Sequence, residues 1–292
     1  MFVVLGASGH TGKAAALALL AQGRKVRVVV RDPKKGQEWK DRGAEAAVAD
    51  LGDAPALAKT FEGAQGAYVL VPPQYGADDL LAAQRPLFEA LAAAVRRSGI
   101  PHVVLLSSIG AQHAAGTGPI RSLHAAEAAL RGAAKNLTLL RAAYFLENVA
   151  PVLDEVRQGV LPTFLTPGRP VPMVATADVG RVAADALLES APGTTILELA
   201  GPRDYAPEDL AASLSGPLGK PVRVQALPID AVEPTFVAIG MPAGVARLFR
   251  EMYAGVNSGL VAWEGAPAHA RRGRLGAAEV LGPMLRSEGS AG

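Results

Sequence analysis

The sequence predicts an α/β fold: a doubly wound parallel sheet first, then a smaller mixed α/β unit. Three observations predict it. Short runs rich in Val and Leu alternate with helix-spaced segments through the first half of the 292-residue chain. Three glycines at a spacing of three (Gly6, Gly9, Gly12) stand where the first such run gives way to a helix. After about residue 150 the rhythm changes, and Pro and Gly become frequent in "LPTFLTPGRPVPM". Short apolar strands that are each followed by a helix need cover on both faces, as in a parallel sheet of the Rossmann type.

Taken in order, strands are expected at 2–5, 25–30, 44–49, 66–71, 102–107 and 137–141. Helices are expected between them at 12–21, 33–42, 54–61, 78–98 and 122–132. The first is marked by Ala15, Ala16, Leu19 and Leu20 at helical spacing, the second is short and basic, and Asp53 is placed to cap the third. In the second half a helix is expected at 177–189, a strand at 195–200, a helix at 207–215, a strand within "KPVRVQALP" and a helical stretch over 241–254. The division is therefore 1–150, a dinucleotide-binding unit with a return strand near 171–176; 151–285, a substrate-binding unit; and 286–292, a flexible tail.

Composition narrows the function. Half of the residues are hydrophobic and 19% are charged, which is globular usage. A net charge of +2 gives no nucleic-acid-binding surface, and the basic runs at 31–40 and 271–274 read as solvated faces. With no cysteine, disulfides, thiolate catalysis and Cys-type zinc sites are excluded. The remaining histidines (His10, His102, His113, His269) lack metal-ligand spacing, so no metal site is expected. No targeting segment or membrane span is read, which fits a cytoplasmic protein.

The glycine loop has two readings, a tight turn or a cradle for an anion at the free N–H groups of a helix N-terminus. Its place at the first strand–helix junction of an alternating chain favours a nucleotide. The second strand ends in "VRVVVRDPKK", where Arg31 suits a 2′-phosphate, with Lys34 and Lys35 behind it. Asp32 stands one residue on and suits a ribose 2′-OH instead. The expected cofactor is NADPH, with NADH weaker. In "VADLGD", Asp50 can accept from an adenine amino group while Leu51 packs on the ring; capping the next helix is the structural alternative.

Together these features resemble the atypical short-chain dehydrogenases of the NmrA-like group. The resemblance runs in order over residues 1–190: the GxxGxxG loop, the strand-end Arg, "ADL", "HVVLLSSIGA", "HAAEAAL", "LTLLRAAYFLENV" and "ATADVGRVAADAL". Within that group the chain resembles type 2 NAD(P)H:quinone oxidoreductases and flavin-free azoreductases. The resemblance implies a cofactor lying across the strand C-termini, with Gly6, Ser8, Gly9, His10, Thr11 and Gly12 around the pyrophosphate. Arg31 and Lys35 would then meet the 2′-phosphate, Asp50 and Leu51 the adenine, and Val71, Pro72 and Pro73 the ribose. Ser107 and Ser108 would lie beneath the nicotinamide, and Tyr144, Phe145 and Asn148 would face the substrate cleft.

One expected element is missing. Tyr-x-x-x-Lys chemistry lets a tyrosine protonate an alkoxide. None of the five tyrosines (Tyr68, Tyr75, Tyr144, Tyr205, Tyr253) has Lys four places on, and Ile120 and His124 stand where relatives carry Tyr and Lys. His124 is open to three readings: ribose anchor, acid, or ordinary half-exposed helix residue. Glu127 reads as an anchor between its helix and the "LLRAAYF" segment, and Ser107 as either site residue or strand-end cap. Tyr144 and Phe145 are stacking residues for a planar acceptor or core residues.

The reading that results is an NADPH-dependent oxidoreductase passing hydride directly to a quinone-like or azo acceptor, without flavin or metal, with His124 and Tyr144 as candidate catalytic residues. Its partner is a small aromatic molecule, not nucleic acid or membrane, and the chain is a monomer or homodimer. The alternative is an NADP(H)-sensing regulator with no turnover.

Overall fold

The computed structural model describes residues 1–189, 191–265 and 270–287. The first half alternates strand and helix: β1 (Phe2–Leu5), α1 (His10–Ala21), β2 (Val26–Val30), α2 (Pro33–Asp41), β3 (Glu45–Val48), α3 (Ala54–Phe61) and β4 (Gly66–Val69). It continues with α4 (Leu80–Ser98), β5 (His102–Ser108), α5 (Arg121–Leu130) and β6 (Asn136–Ala142). All six strands and five helices lie where the apolar spacing places them, with ends shifted by one or two residues. The side chains of β5 alternate: Val103 and Leu105 join the core under α3, α4 and α5, while Val104 joins the core under α1 on the opposite face.

The second half adds β7 (Tyr144–Phe145), α6 (Leu153–Arg157), β8 (Val160–Thr163), β9 (Val171–Val174), α7 (Thr176–Leu188), β10 (Gly193–Ala200) and β11 (Asp204–Tyr205). Then follow α8 (Pro207–Leu218), β12 (Arg223–Ala226), α9 (Val232–Ala238), α10 (Ala243–Ser258), β13 (Ala270–Arg272) and α11 (Ala277–Ser287). The main sheet has eight strands in the order β13-β10-β6-β5-β4-β1-β2-β3, all parallel. From β1 the chain runs outward to β2 on one side and to β4 on the other. That reversal opens a crevice beyond the strand C-termini, where ligands of open α/β sheets bind.

Two expectations are corrected. A strand does form at 171–174, but β9 pairs with β7 and antiparallel with β11 in a separate three-stranded sheet. The strand that returns to the main sheet is β10, in register with β6 from Gly193↔Asn136 to Leu199↔Ala142. Of the two candidate runs, the four-residue β9 and the eight-residue β10, it is β10 that takes that edge. α11 also runs through Arg286 and Ser287, the first two residues of the expected tail, and 288–292 and His269 lie outside the described residues. Within "KPVRVQALP" the strand is β12, which pairs with β8 in a small two-stranded sheet.

Candidate active site

At the start of the crevice, Gly6 takes a left-handed φ of 69° and hands the chain into α1. A Cβ on Gly12 would lie 2.3 Å from the Gly6 carbonyl oxygen, so only glycine lets the first turn of α1 press onto the loop. Gly9 is the N-cap and offers no side chain to the helix, and the first turn holds no acidic residue. The leading N–H groups of α1 are thus left to a ligand, with Ser8, Gly9 and His10 exposed above them and Thr11 buried.

At the end of β2, Arg31 is exposed and makes no hydrogen bond or ion pair among the described residues. Asp32 is engaged otherwise: its carboxylate accepts from the Lys34 N–H at 2.9 Å and caps α2. Lys35 is exposed in the first turn of that helix. Asp50 closes a turn by accepting from the Gly52 N–H at 2.8 Å, and Asp53, not Asp50, caps α3 through the Ala56 N–H at 2.9 Å. Leu51 is half-buried beside it. Past β4, Val71 is buried, Pro73 is exposed, and the Pro72 carbonyl accepts from Gln84 Nε2 at 3.3 Å.

Beneath the end of β5 lies a buried ionic network. Ser107 Oγ donates to Glu127 Oε1 at 2.6 Å, which replaces the strand-end cap as its bond. Glu127 meets Arg141 in a two-pronged pair, Nε–Oε1 at 2.9 Å and Nη2–Oε2 at 2.8 Å. Both side chains are nearly inaccessible, at 4% and 2% exposure. Burial alone would raise the Glu127 carboxyl, but hydrogen bonds from Arg141 and Ser107 and the charges of Arg141 and Arg131 hold it below its ordinary value. Arg141 Nη1 donates onward to Glu264, whose N–H in turn donates to buried Glu198 at 2.7 Å. Glu127 therefore ties α5 to β6, as its spacing implied. The sequence does signal Arg141, a lone charge in an apolar strand; nothing local signals its second partner, Glu264.

His124 is half-buried, and its Nδ1 lies 2.8 Å from the Ala111 carbonyl oxygen. A carbonyl only accepts, so Nδ1 carries a proton and, in the neutral ring, Nε2 is an acceptor. The ring borders a cavity of about 210 Å³ shared with Gln112, Glu127, Arg131, Arg141 and Glu264. No hydrogen bond joins His124 to Ser107, Ser108 or Tyr144 among the described residues. Ser108 Oγ donates to the Ile109 carbonyl at 2.9 Å.

Over the crevice the structure brings together aromatic rings from four parts of the chain. Tyr75 follows β4, Tyr144 follows β6, Phe164 follows β8, and Phe236, Phe249 and Tyr253 lie on α9 and α10. Ring centroids are 5.2 Å apart for Tyr75–Phe249, 4.6 Å for the stacked Phe236–Phe249 pair and 5.3 Å for Phe164–Tyr253. The loop after β5 fixes α10 there: a Cβ on Gly118 would meet the Leu248 carbonyl oxygen at 1.9 Å. Because β4, β5 and β6 are parallel, the loops leaving them share one edge, and the rings lie beyond it. Tyr144 and Phe145 are both half-buried and pack on the core, and Asn148 is exposed.

The Tyr144 and Tyr253 hydroxyls are 3.4 Å apart. Burial pushes the Tyr144 hydroxyl up, against the pull of hydrogen bonds from Tyr253 and Asn148. Burial pushes Tyr253 up as well, and its contact with Tyr144 adds to the rise. Either hydroxyl can donate in this contact. Tyr253, Phe236 and Phe249 were not marked by the sequence as site residues; Phe249 and Tyr253 at a helical spacing of four were the available signal.

The sequence profile of the NmrA-like family matches residues 1–260. The chain belongs to that family. It is 25% identical to an NAD(P)H azoreductase of Xenophilus azovorans over 87% of this chain and 86% of that protein. Among solved structures it is similar to an NADPH complex of quinone oxidoreductase 2 from Escherichia coli, with a TM-score of 0.82, 22% identity and coverage of 98% and 100% of the two chains. A Citrobacter sp. triphenylmethane reductase complexed with NADP(H) matches with a TM-score of 0.82, 20% identity and coverage of 97% and 100%. The NmrA-like chain thus shares the fold of these neighbours along nearly its whole length.

Proposed function

We propose that this NmrA-like protein is an NADPH-dependent reductase that passes hydride directly to a quinone-like or azo acceptor, with no part for flavin or metal. The observation that carries this reading is the pairing of two features across one crevice. On one side are the uncapped N-terminus of α1 and Arg31, unpaired among the described residues; on the other are the aromatic rings. The first fits a pyrophosphate and a 2′-phosphate, and the second fits a flat apolar acceptor. The relatives point the same way, since each is named for NAD(P)H-dependent reduction or was solved with NADP(H).

In this reading Gly6, Ser8, Gly9, His10, Thr11 and Gly12 hold the pyrophosphate. Arg31, supported by Lys35, grips the 2′-phosphate with a planar guanidinium. Asp50 and Leu51 take the adenine, and Val71, Pro72 and Pro73 flank the ribose. Ser107 has committed its proton to Glu127, so its oxygen only accepts, which suits a carboxamide NH₂ beside Ser108. His124, with Nε2 as acceptor, suits a ribose hydroxyl. Tyr144, Phe145 and Asn148 face the acceptor. NADPH, when bound, supplies the hydride, and the protein contributes proximity and orientation.

The test is NADPH oxidation followed optically against quinones, azo dyes and triphenylmethane dyes. Turnover with at least one class supports the reading. Tight NADPH binding with no turnover of any of them favours a cofactor sensor.

A further inference from the structure

The reductase reading leaves a proton unassigned, because the Tyr and Lys of related enzymes are replaced by Ile120 and His124. Two-electron reduction of an azo bond needs a hydride on one nitrogen and a proton on the other. His124 has its Nδ1 proton on the Ala111 carbonyl, so the neutral ring offers only an acceptor at Nε2. Ser107 does not supply it, since its proton is held by Glu127. The ionic network around Arg141 ties Ser107, Glu127 and Glu264 to one another.

What remains at the aromatic wall is a pair of phenols. Resting on the reductase reading above, we propose that Tyr144 is the proton donor to the acceptor and that Tyr253 is the residue that positions and supports it. Tyr144 stands immediately beyond the C-terminus of β6, the strand next to β5 in the sheet, and its hydroxyl lies 3.4 Å from that of Tyr253. Asn148, four residues on, works with Tyr253 against the burial that raises the Tyr144 hydroxyl. When the Tyr253 hydroxyl donates in this contact, Tyr144 keeps its own proton for a third partner. The Tyr253 hydroxyl, as donor, also stabilises the phenolate left behind, as a lysine does in the Tyr-x-x-x-Lys arrangement. The 3.4 Å separation is long for a hydrogen bond, and it shortens as charge develops on Tyr144.

The step balances as follows. The acceptor N=N bond becomes HN–NH, taking one hydrogen as the hydride from NADPH and the other as the proton of Tyr144. The Tyr144 O–H bond breaks, an N–H bond forms, and the electron pair stays on the Tyr144 oxygen until water returns a proton. A triphenylmethane dye differs in one respect. Its central carbon is already cationic, so hydride alone gives the neutral product and no proton is required.

That difference supplies the test. Wild type, Tyr144→Phe and Tyr253→Phe are each assayed with NADPH on an azo dye and on a cationic triphenylmethane dye, and the ratio of the two kcat/KM values is taken. Loss of a positioned acid is expected to lower the azo-to-triphenylmethane ratio roughly 100-fold in Tyr144→Phe. The ratio is expected to fall about tenfold in Tyr253→Phe, the size of one hydrogen bond of about 1.4 kcal/mol. The solvent deuterium isotope effect on the azo reaction should shrink in both. Thermal midpoint and NADPH affinity report folding, and should Tyr144→Phe fail to fold, Tyr253→Phe on a separate helix carries the test. Ratios equal to wild type in the folded variants overturn the proposal while leaving the reductase reading intact. A wild-type protein that binds NADPH and reduces quinones but no azo dye overturns the proposal alone, and one that reduces none of the three classes overturns both.

Discussion

Arg141→Met puts the largest identifiable strain on this structure. The substitution keeps most of the apolar stem but deletes a guanidinium that is 2% exposed and engages Glu127 with two hydrogen bonds. Glu127, 4% exposed, is left with Ser107 and with Arg131, which reaches it at 3.3 Å from a side chain 45% exposed. Breaking a buried pair from one side costs about 3–5 kcal/mol, because the surviving charge stays desolvated. At about 2 °C per kcal/mol for a chain of this size, the thermal midpoint should fall by roughly 6–10 °C. Adding Glu127→Gln should recover most of the loss, since it removes the stranded charge and keeps a partner for Ser107. Urea unfolding of wild type, both single variants and the double variant near neutral pH gives the coupling energy. The sign with pH is also fixed. Glu127 has a lowered folded-state pKa, so its contribution in wild type is complete above the ordinary carboxylate value of about 4.3 and is lost as pH falls through the lower folded value. In Arg141→Met the deficit should instead narrow on acidification, because the stranded carboxylate takes up a proton. A double variant no more stable than Arg141→Met, or a single variant within about 0.5 kcal/mol of wild type, would show that the pair is not what holds α5 to β6.

Three other outcomes are expected. Arg31→Ala should weaken NADPH binding by about 1.5–3 kcal/mol, roughly 10- to 150-fold, and leave NADH nearly unchanged; titration of both cofactors checks it, and equal losses refute a 2′-phosphate contact. His124→Gln should raise the KM for NADPH with little change in kcat, and a fall in kcat at constant KM would refute the ribose assignment. Asp178, 2% exposed, accepts from the Arg274 and Leu275 N–H groups at 2.7 and 2.8 Å. Asp178→Ala should destabilise the protein by about 2–4 kcal/mol, measured by urea unfolding, as two backbone donors lose their acceptor.

The first half of the fold was legible because β1 to β6 are short apolar runs with turn residues between them, and because Gly6 and Gly12 punctuate the first junction. Sheet membership in the second half was not. β9 and β10 read alike in sequence, and only pairing with β6 decides between them. β13 is three residues, two of them exposed arginines, and shows no apolar period. In α11 the Gly282–Pro283 pair interrupts a helix whose apolar spacing is otherwise regular. The site divides similarly. Arg31, Asp53 and Glu127 carry local signals: a strand end, a cap position, a charge among alanines. The Tyr144–Tyr253 contact spans 109 residues, and no local pattern reports a partner at that distance.

The return of β10 to the main sheet also bears on how the gene can be cut. A fragment ending near residue 150 would keep the whole glycine loop yet expose the outer edge of β6 along all seven residues that β10 covers. That edge is largely apolar, with no proline and one charge, Arg141, and an uncovered edge of this kind recruits other chains. The same cut would strip Arg141 of Glu264. The cofactor half is therefore not portable: expressed alone or grafted into a chimaera, it should collect in inclusion bodies.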